Sequence, residues 1–464
     1  MPVSAAALWG WTIPTRISAR AAAGAVAAAV MLASTIVFSE PAVVDALLAA
    51  MVFIVPVLGA HRFGRIALVN GALWLVIVGA GIAATMWSTA FDTAIKHQLV
   101  TFFLAAGAFV LAGFVADQPE PWLKRLFWCY LAACLVATAA ALIGYFRIVP
   151  AAYDLFTNYG RARGTFKDPN VYGAALVPAL TFAAWIVLRG TPRQARIAAI
   201  LAAPLLLGLL LSFSRGAWFS AALSVGIVGF VLLLRSRRAA DFRRFGLAGG
   251  LAAVVLAAAL GAALQIEEVS TLLLQRASLD QSYDQGPQGR FGGQQKAISL
   301  ILENPLGIGT HTFRDTYHHE EPHNVYLTTF LNAGWIGGLL YIISVVLTIA
   351  VGFRAALQNS PIAGMALVAT ASFTATAIEG FVIDSDHWRH FFILMALIWG
   401  AADARSLAPP KYGRRSSDTP PSSRDAAAQK VMCQPASMQQ PAEQRRRQPM
   451  KAAKRSTQRP THGS

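Results

Sequence analysis

Long uninterrupted apolar stretches set the pattern of this chain. They recur near 18–38, 42–60, 66–86, 98–116, 126–149 and 171–189, then near 195–213, 216–235, 245–265, 325–352, 360–382 and 388–404. Each comes close to the roughly 20 residues that an α-helix needs to cross a bilayer core. The pattern predicts an all-α polytopic membrane protein with about twelve transmembrane helices. Between the ninth and tenth, residues 266–324 form one large polar loop. Within it, Ala297, Leu300 and Ile301 keep helical spacing up to "ENPLG", which predicts a surface helix over 292–302. Gly307 and Gly309 of "GIGTHTF" are read as a tight turn after that helix, and no strand precedes them to suggest a nucleotide loop. Two units follow: a membrane domain over 1–404 and a tail over 405–464, basic and rich in Pro, Gln and Ser, expected to be disordered.

Composition sharpens this picture. The chain is 55% hydrophobic and 13% charged, too few charges for the surface of a soluble protein of 464 residues. The net charge of +16 resembles a nucleic-acid signal until it is located. The tail holds 13 Lys/Arg against 3 Asp/Glu, so +10 of the excess sits there. A cytoplasmic basic tail leans on anionic membrane lipids, and no nucleic-acid partner is expected. Cys129 and Cys134 share one apolar helix and Cys433 lies in the tail, so none is expected to staple an exported loop. The Ala-rich run 21–38 is read as an uncleaved first helix, since more spans follow it.

Orientation comes from the positive-inside rule. With an even number of spans and the N-terminus in the cytoplasm, the inner connections and the tail carry 28 of the 39 Lys/Arg. Both termini are then cytoplasmic. The segment 147–170 and the loop 266–324 face outward, and so does the hairpin "SFSRG" with Arg215.

Arg215 stands between two apolar runs, where a guanidinium costs about 2.5–3.5 kcal/mol at the centre of a span. Further outward cations are Arg161 and Arg163 in "GRARGTFKDPN" and Arg290 in "QGRFGGQQ"; "HHEEPHN" adds His318, His319 and His323, with Asn324 opening the next span. Arginines at the outer headgroup level suit a lipid-linked phosphate or diphosphate, to which guanidinium offers planar paired donors. A neutral imidazole beside them can take a proton from a hydroxyl near neutral pH. Taken singly, boundary arginines snorkel to headgroups and loop histidines are solvated. Positive charge supplied by arginine needs no metal, and the crowded "HHEEPH" loop is not read as a metal site.

The pieces "GRARGTFKDPNVYG", "SFSRGAW", "GRFGGQQKAISLILENPLGIGTHTF" and "PHNVYLTTFLNAGWIGGLLY" together resemble the O-antigen ligase and O-antigen polymerase superfamily of bacterial membrane glycosyltransferases. The resemblance covers roughly 150–350. Gln294 departs from it, standing where the family often has Trp. The resemblance implies a C-type glycosyltransferase fold in the bacterial inner membrane, without metal or other cofactor. It implies transfer of a glycan from undecaprenyl diphosphate, on the periplasmic face, to an acceptor hydroxyl on lipid A–core or on another glycan. Carried over by position, Arg215 and Arg290 would bind the donor diphosphate, and His323 would orient or deprotonate the acceptor hydroxyl. Arg161, Arg163 and Asn324 would assist in substrate binding. The rival from another class is a polyprenyl-linked flippase or transporter, which would place charge at the bilayer midplane between related halves.

Overall fold

The computed structural model describes residues 18–265, 267, 270–272 and 286–406. The tail expected from Arg405 onward lies outside them except for its first two residues, as do parts of the 266–324 loop. The first five helices are α1 (Ala19–Ala33), α2 (Val43–Val57), α3 (Arg65–Ala84), α4 (Phe91–Asp117) and α5 (Pro119–Tyr145). After one turn of helix, α6 (Tyr153–Phe156), come α7 (Pro169–Arg189), α8 (Pro192–Leu211), α9 (Arg215–Arg235) and α10 (Ala239–Leu264). The described chain then continues with α11 (Arg290–Glu303), α12 (Val325–Ala356), α13 (Ala363–Glu379) and α14 (Arg389–Ser406). Seven of these, α3 with its short extension, α4, α5, α7, α8, α9 and α12, are long and apolar enough to cross a membrane. Three shorter apolar helices, α1, α2 and α13, pack with them. The protein is a polytopic all-α membrane protein with a little local β structure among the described residues. The strands β1 (Thr157–Asn158) and β2 (Arg161–Ala162) form a small antiparallel hairpin turned by Tyr159 and Gly160 at positive φ.

Helix starts follow the local sequence. Asp168 caps α7 by accepting from the Asn170 amide, with Pro169 at the first helical position. Thr191 and Gln194 form a capping box ahead of α8, and Ser214 caps α9. Gly64 has no side chain to cap α3, so Asp403 on α14 does it from outside. Its two carboxylate oxygens accept from the Ile66 and Ala67 amides at 2.8 Å each.

Hydrogen bonds sort the connections into two ends. One end joins Arg20 to Asp117, the Arg62 amide to Gly113 O, Asp403 to the start of α3, Arg235 to Ala356 O, and Arg244 to Val187 O and Gly190 O. The opposite end joins Thr35 to Thr165, Glu40 to Lys167, Ser88 to Thr310, and Asp384 to His323. Arg161, Arg163, Arg215, Arg290 and His323 all belong to elements at this second end.

The sequence suggests one unbroken span over 325–352, but α12 is broken. Gly334 adopts φ 65°, a region open to glycine and strained for other residues. The segment after α11 docks on the break. Ile308 and Gly309 amides donate to Leu331 O, and the Trp335 amide donates to Pro305 O. The Trp335 indole adds a bond to Ile301 O at 2.7 Å. Gly307 and Gly309, at φ 83° and 81°, make the tight turn expected of them. A Cβ on Gly334 would lie 2.6 Å from Pro305 O, so Gly334→Ala meets both a backbone clash and an unfavourable φ. We expect it to cost about 1–3 kcal/mol, read as a lower melting temperature and faster proteolysis near 304–309. Gly226→Ala, with open space around it in α9, should leave both measurements unchanged or slightly improved.

Candidate functional site

The α8–α9 corner turns within three residues because Phe213 takes φ 48° and buries its ring. Ser212 Oγ binds Leu209 O at 2.6 Å, and the Trp218 indole reaches the same carbonyl at 2.9 Å. α7 comes close enough that a Cβ on Gly173 would lie 2.7 Å from Ser212 Oγ. Arg215 thus opens α9 from a rigid corner, as the tight spacing of "SFSRG" suggests.

Arg161 braces this corner. It is buried, with Nε donating to Ser212 O at 2.8 Å and Nη2 to Asn170 Oδ1 at 2.7 Å. Arg163 binds inside its own loop, to Lys167 O and Asp154 O. Asn324 is the cap of α12, its Oδ1 accepting from the Tyr326 and Leu327 amides. These hydrogen bonds hold the backbone that carries the other candidates.

His323 has φ 51°, a conformation that needs support from its surroundings. Asp384, in the connection between α13 and α14, supplies it. Its Oδ2 accepts from the His323 amide at 3.1 Å and lies 3.9 Å from the imidazole Nδ1, while Oδ1 accepts from Thr328 Oγ1 at 2.6 Å. On the far side of the ring, His323 Nε2 meets Glu320 Oε2 at 3.1 Å. The imidazole therefore lies between two carboxylates. The hydrogen bond from His323 holds Glu320 below the usual carboxylate range. Burial, helped by the nearby charge of Asp386, raises Asp384 to about 6.

The other elements adjoin this histidine or its neighbours. The Gln294 side chain, one turn after Arg290, donates from Nε2 to His323 O at 3.5 Å. A Cβ on Gly293 would touch the His318 ring at 3.2 Å. At the end of α13, Glu379 approaches Gly216 to within 2.7 Å of a Cβ placed there and accepts from Ser220 Oγ at 2.8 Å. The next residue, Gly380, accepts from the Val325 amide at 2.9 Å. The start of α9, the end of α13 and the start of α12 are thereby continuous, and the first turn of α11 touches the same loop. Arg215, Arg290 and His323 sit on elements that meet, and Arg161 joins them through Ser212.

Residues 197–342 match the family model described as O-antigen ligase. Over that stretch the chain is similar to the O-antigen ligase family. That segment begins in α8 and ends in α12, so it contains Arg215, Arg290, His323 and Asn324. No curated protein matches the chain. Asp384, the partner of His323, lies beyond the matched segment, as do Arg161 and Arg163. The sequence reading missed Asp384 and Glu379. The available signal was "GFVIDSDHWRH", an acid- and histidine-rich link between two apolar spans.

Asp384→Ala removes the acceptor for the His323 amide. We expect backbone exchange at 322–324, followed by hydrogen–deuterium exchange mass spectrometry, to speed up about 10–100-fold, as fits the loss of a bond to a charged group. Asp384→Asn keeps an acceptor oxygen and should give a smaller change.

Proposed function

We propose that this protein is a metal-independent membrane glycosyltransferase of the O-antigen ligase kind. It takes a glycan from undecaprenyl diphosphate and places it on a hydroxyl of lipid A–core, at the periplasmic face of the bacterial inner membrane. The single observation that carries the reading is His323, held by its amide to Asp384 and set between two carboxylates on elements joined to those of Arg215 and Arg290. In this scheme the acceptor oxygen attacks the anomeric carbon as the bond from that carbon to the diphosphate oxygen breaks. The hydroxyl proton passes to His323, a role suited to an imidazole flanked by carboxylates. The leaving diphosphate keeps the electron pair of the broken bond, and Arg215 and Arg290 stabilise its charge without a proton transfer of their own. Burial of a guanidinium-bearing corner at one end of the bundle suits a carrier whose isoprenoid lies in lipid and whose diphosphate lies at the interface.

The second reading on the same scaffold is a polymerase that extends another lipid-linked glycan, differing in acceptor alone. A flippase is disfavoured because the charged side chains gather at the ends of the helices.

Complementation decides between these. In a host deleted for its own ligase, the wild-type gene should restore polysaccharide-bearing lipopolysaccharide on gels. Arg215→Ala, Arg290→Ala and His323→Ala should each reduce transfer about 10²–10⁴-fold at normal membrane levels. Full activity in all three would reject the site. Restoration of long chains only in a host lacking its polymerase would assign the polymerase reading instead.

A further inference from the structure

A second cluster of titratable side chains lies at the same end of the bundle, next to the residues used above. His97, in the second turn of α4, meets Asp386 in the α13–α14 connection, with Nε2 to Oδ2 at 3.0 Å. His387 stacks beside it, the two ring centroids 4.1 Å apart and tilted by 30°. One donor atom from each of the three lies within 4.8 Å of the others. Thr101, one turn along α4, binds His387 Nε2 at 2.9 Å and so orients that ring. His311 packs its edge on His97 at 5.5 Å and is held in turn by Glu321 at 3.1 Å. A cavity lined in part by His97, Thr328, Asn332 and Asp386 lies beside the cluster.

We propose that His97, Asp386 and His387 bind a divalent transition-metal ion, with Zn²⁺ favoured by the donor set, and that the ion ties the α13–α14 connection to α4. Two imidazoles and one carboxylate select such ions over Mg²⁺ and Ca²⁺, which prefer oxygen. Ligand atoms about 2.0–2.2 Å from a tetrahedral ion stand roughly 3.3 Å apart. The His97–Asp386 separation already fits. Closing the widest gap takes a side-chain shift of about 1.5 Å, within reach of a residue on a connection. Water or another small ligand fills the fourth position from the cavity. The ion's role is positional. Asp386 is two residues from Asp384, so fixing one fixes the other, and with it the amide of His323. The ion takes no part in the glycosyl transfer proposed above.

The test uses the full-length, untagged protein in detergent or nanodiscs, with no glycan substrate. After chelation and dialysis against Zn²⁺, elemental analysis should give one zinc per chain, retained through gel filtration. Conservative His97→Gln and His387→Gln variants should each weaken retention at least about tenfold, in line with the loss of a direct ligand. X-ray absorption of the Co²⁺-loaded wild type should show two imidazole ligands, which tests the assignment even if a variant folds poorly. Failure of the wild type to retain zinc would overturn the proposal. So would equal retention by the His97→Gln/His387→Gln double variant, or a cobalt shell with fewer than two imidazoles. None of these results bears on whether the protein transfers glycans.

Discussion

Inside a bilayer the peptide groups of a chain must be satisfied by the chain itself, and the break in α12 is where this protein meets that demand most directly. Gly334 opens the helix. The freed carbonyl of Leu331 and the amide of Trp335 are taken up by residues 305–309. An unpaired buried peptide group costs about 1–3 kcal/mol, so the loop has one position in which the break is tolerable. α11 ends at Glu303, just before this docked segment, and the loop bearing His311 to His323 begins just after it. The arginine at the head of α11 and the histidine at the head of α12 therefore hang from one anchor. Their relative placement is set by these hydrogen bonds together with a small buried cluster of Ala297, Leu300, Ile308, Phe313 and Leu331.

Acids do similar work elsewhere. The chain has only 23 Asp and Glu, and several of them accept from main-chain amides. Asp403 serves the start of α3, Asp168 the start of α7, and Asp45 the amide of Ala42 ahead of α2. Each lies where a helix exposes orphan amides, the position that also favours a negative charge. Asp384 follows the same habit at His323, with one difference. Its other oxygen binds Thr328, and its nearer oxygen also faces an imidazole. A device used for holding helix ends is there combined with a titratable ring.

The sequence made the helices legible because apolar length is a local signal, and Asn324 was read as opening a span, while the caps Asp168, Thr191 and Ser214 emerged only from the structure. The surface helix was readable from Ala297 and Leu300, both buried in the structure. The turn at Gly307 and Gly309 was readable from glycine alone. The break at Gly334 was not, since "NAGWIGGLLY" reads as one apolar run and the partner that permits the break lies some 25 residues earlier. Arg161 was legible as an outward cation. Its burial against Ser212 depends on a contact across 51 positions, which no spacing rule reports. The same limit hid Asp384. "HHEEPHN" drew attention to its histidines, while the residue that fixes one of them stands 61 positions on.

The matched segment and the site therefore differ in extent. Arg215, Arg290 and His323 fall within 197–342, yet the groups that hold them come from both sides of it. His323 shows how the two sources divide the work. Asp384, outside the segment, is the less exposed carboxylate, at 19% against 56% for Glu320. It grips the backbone amide as well as facing the ring, so it governs where the imidazole stands. Glu320, inside the segment and open to solvent, touches only the far ring nitrogen. In the proposed transfer a proton taken at one face of the imidazole leaves most readily toward the solvated partner, because water can accept it there without stranding a buried charge. Under that proposal the less exposed acid would keep the ring in place through the cycle while the exposed one would reset it, a division that follows from their surroundings.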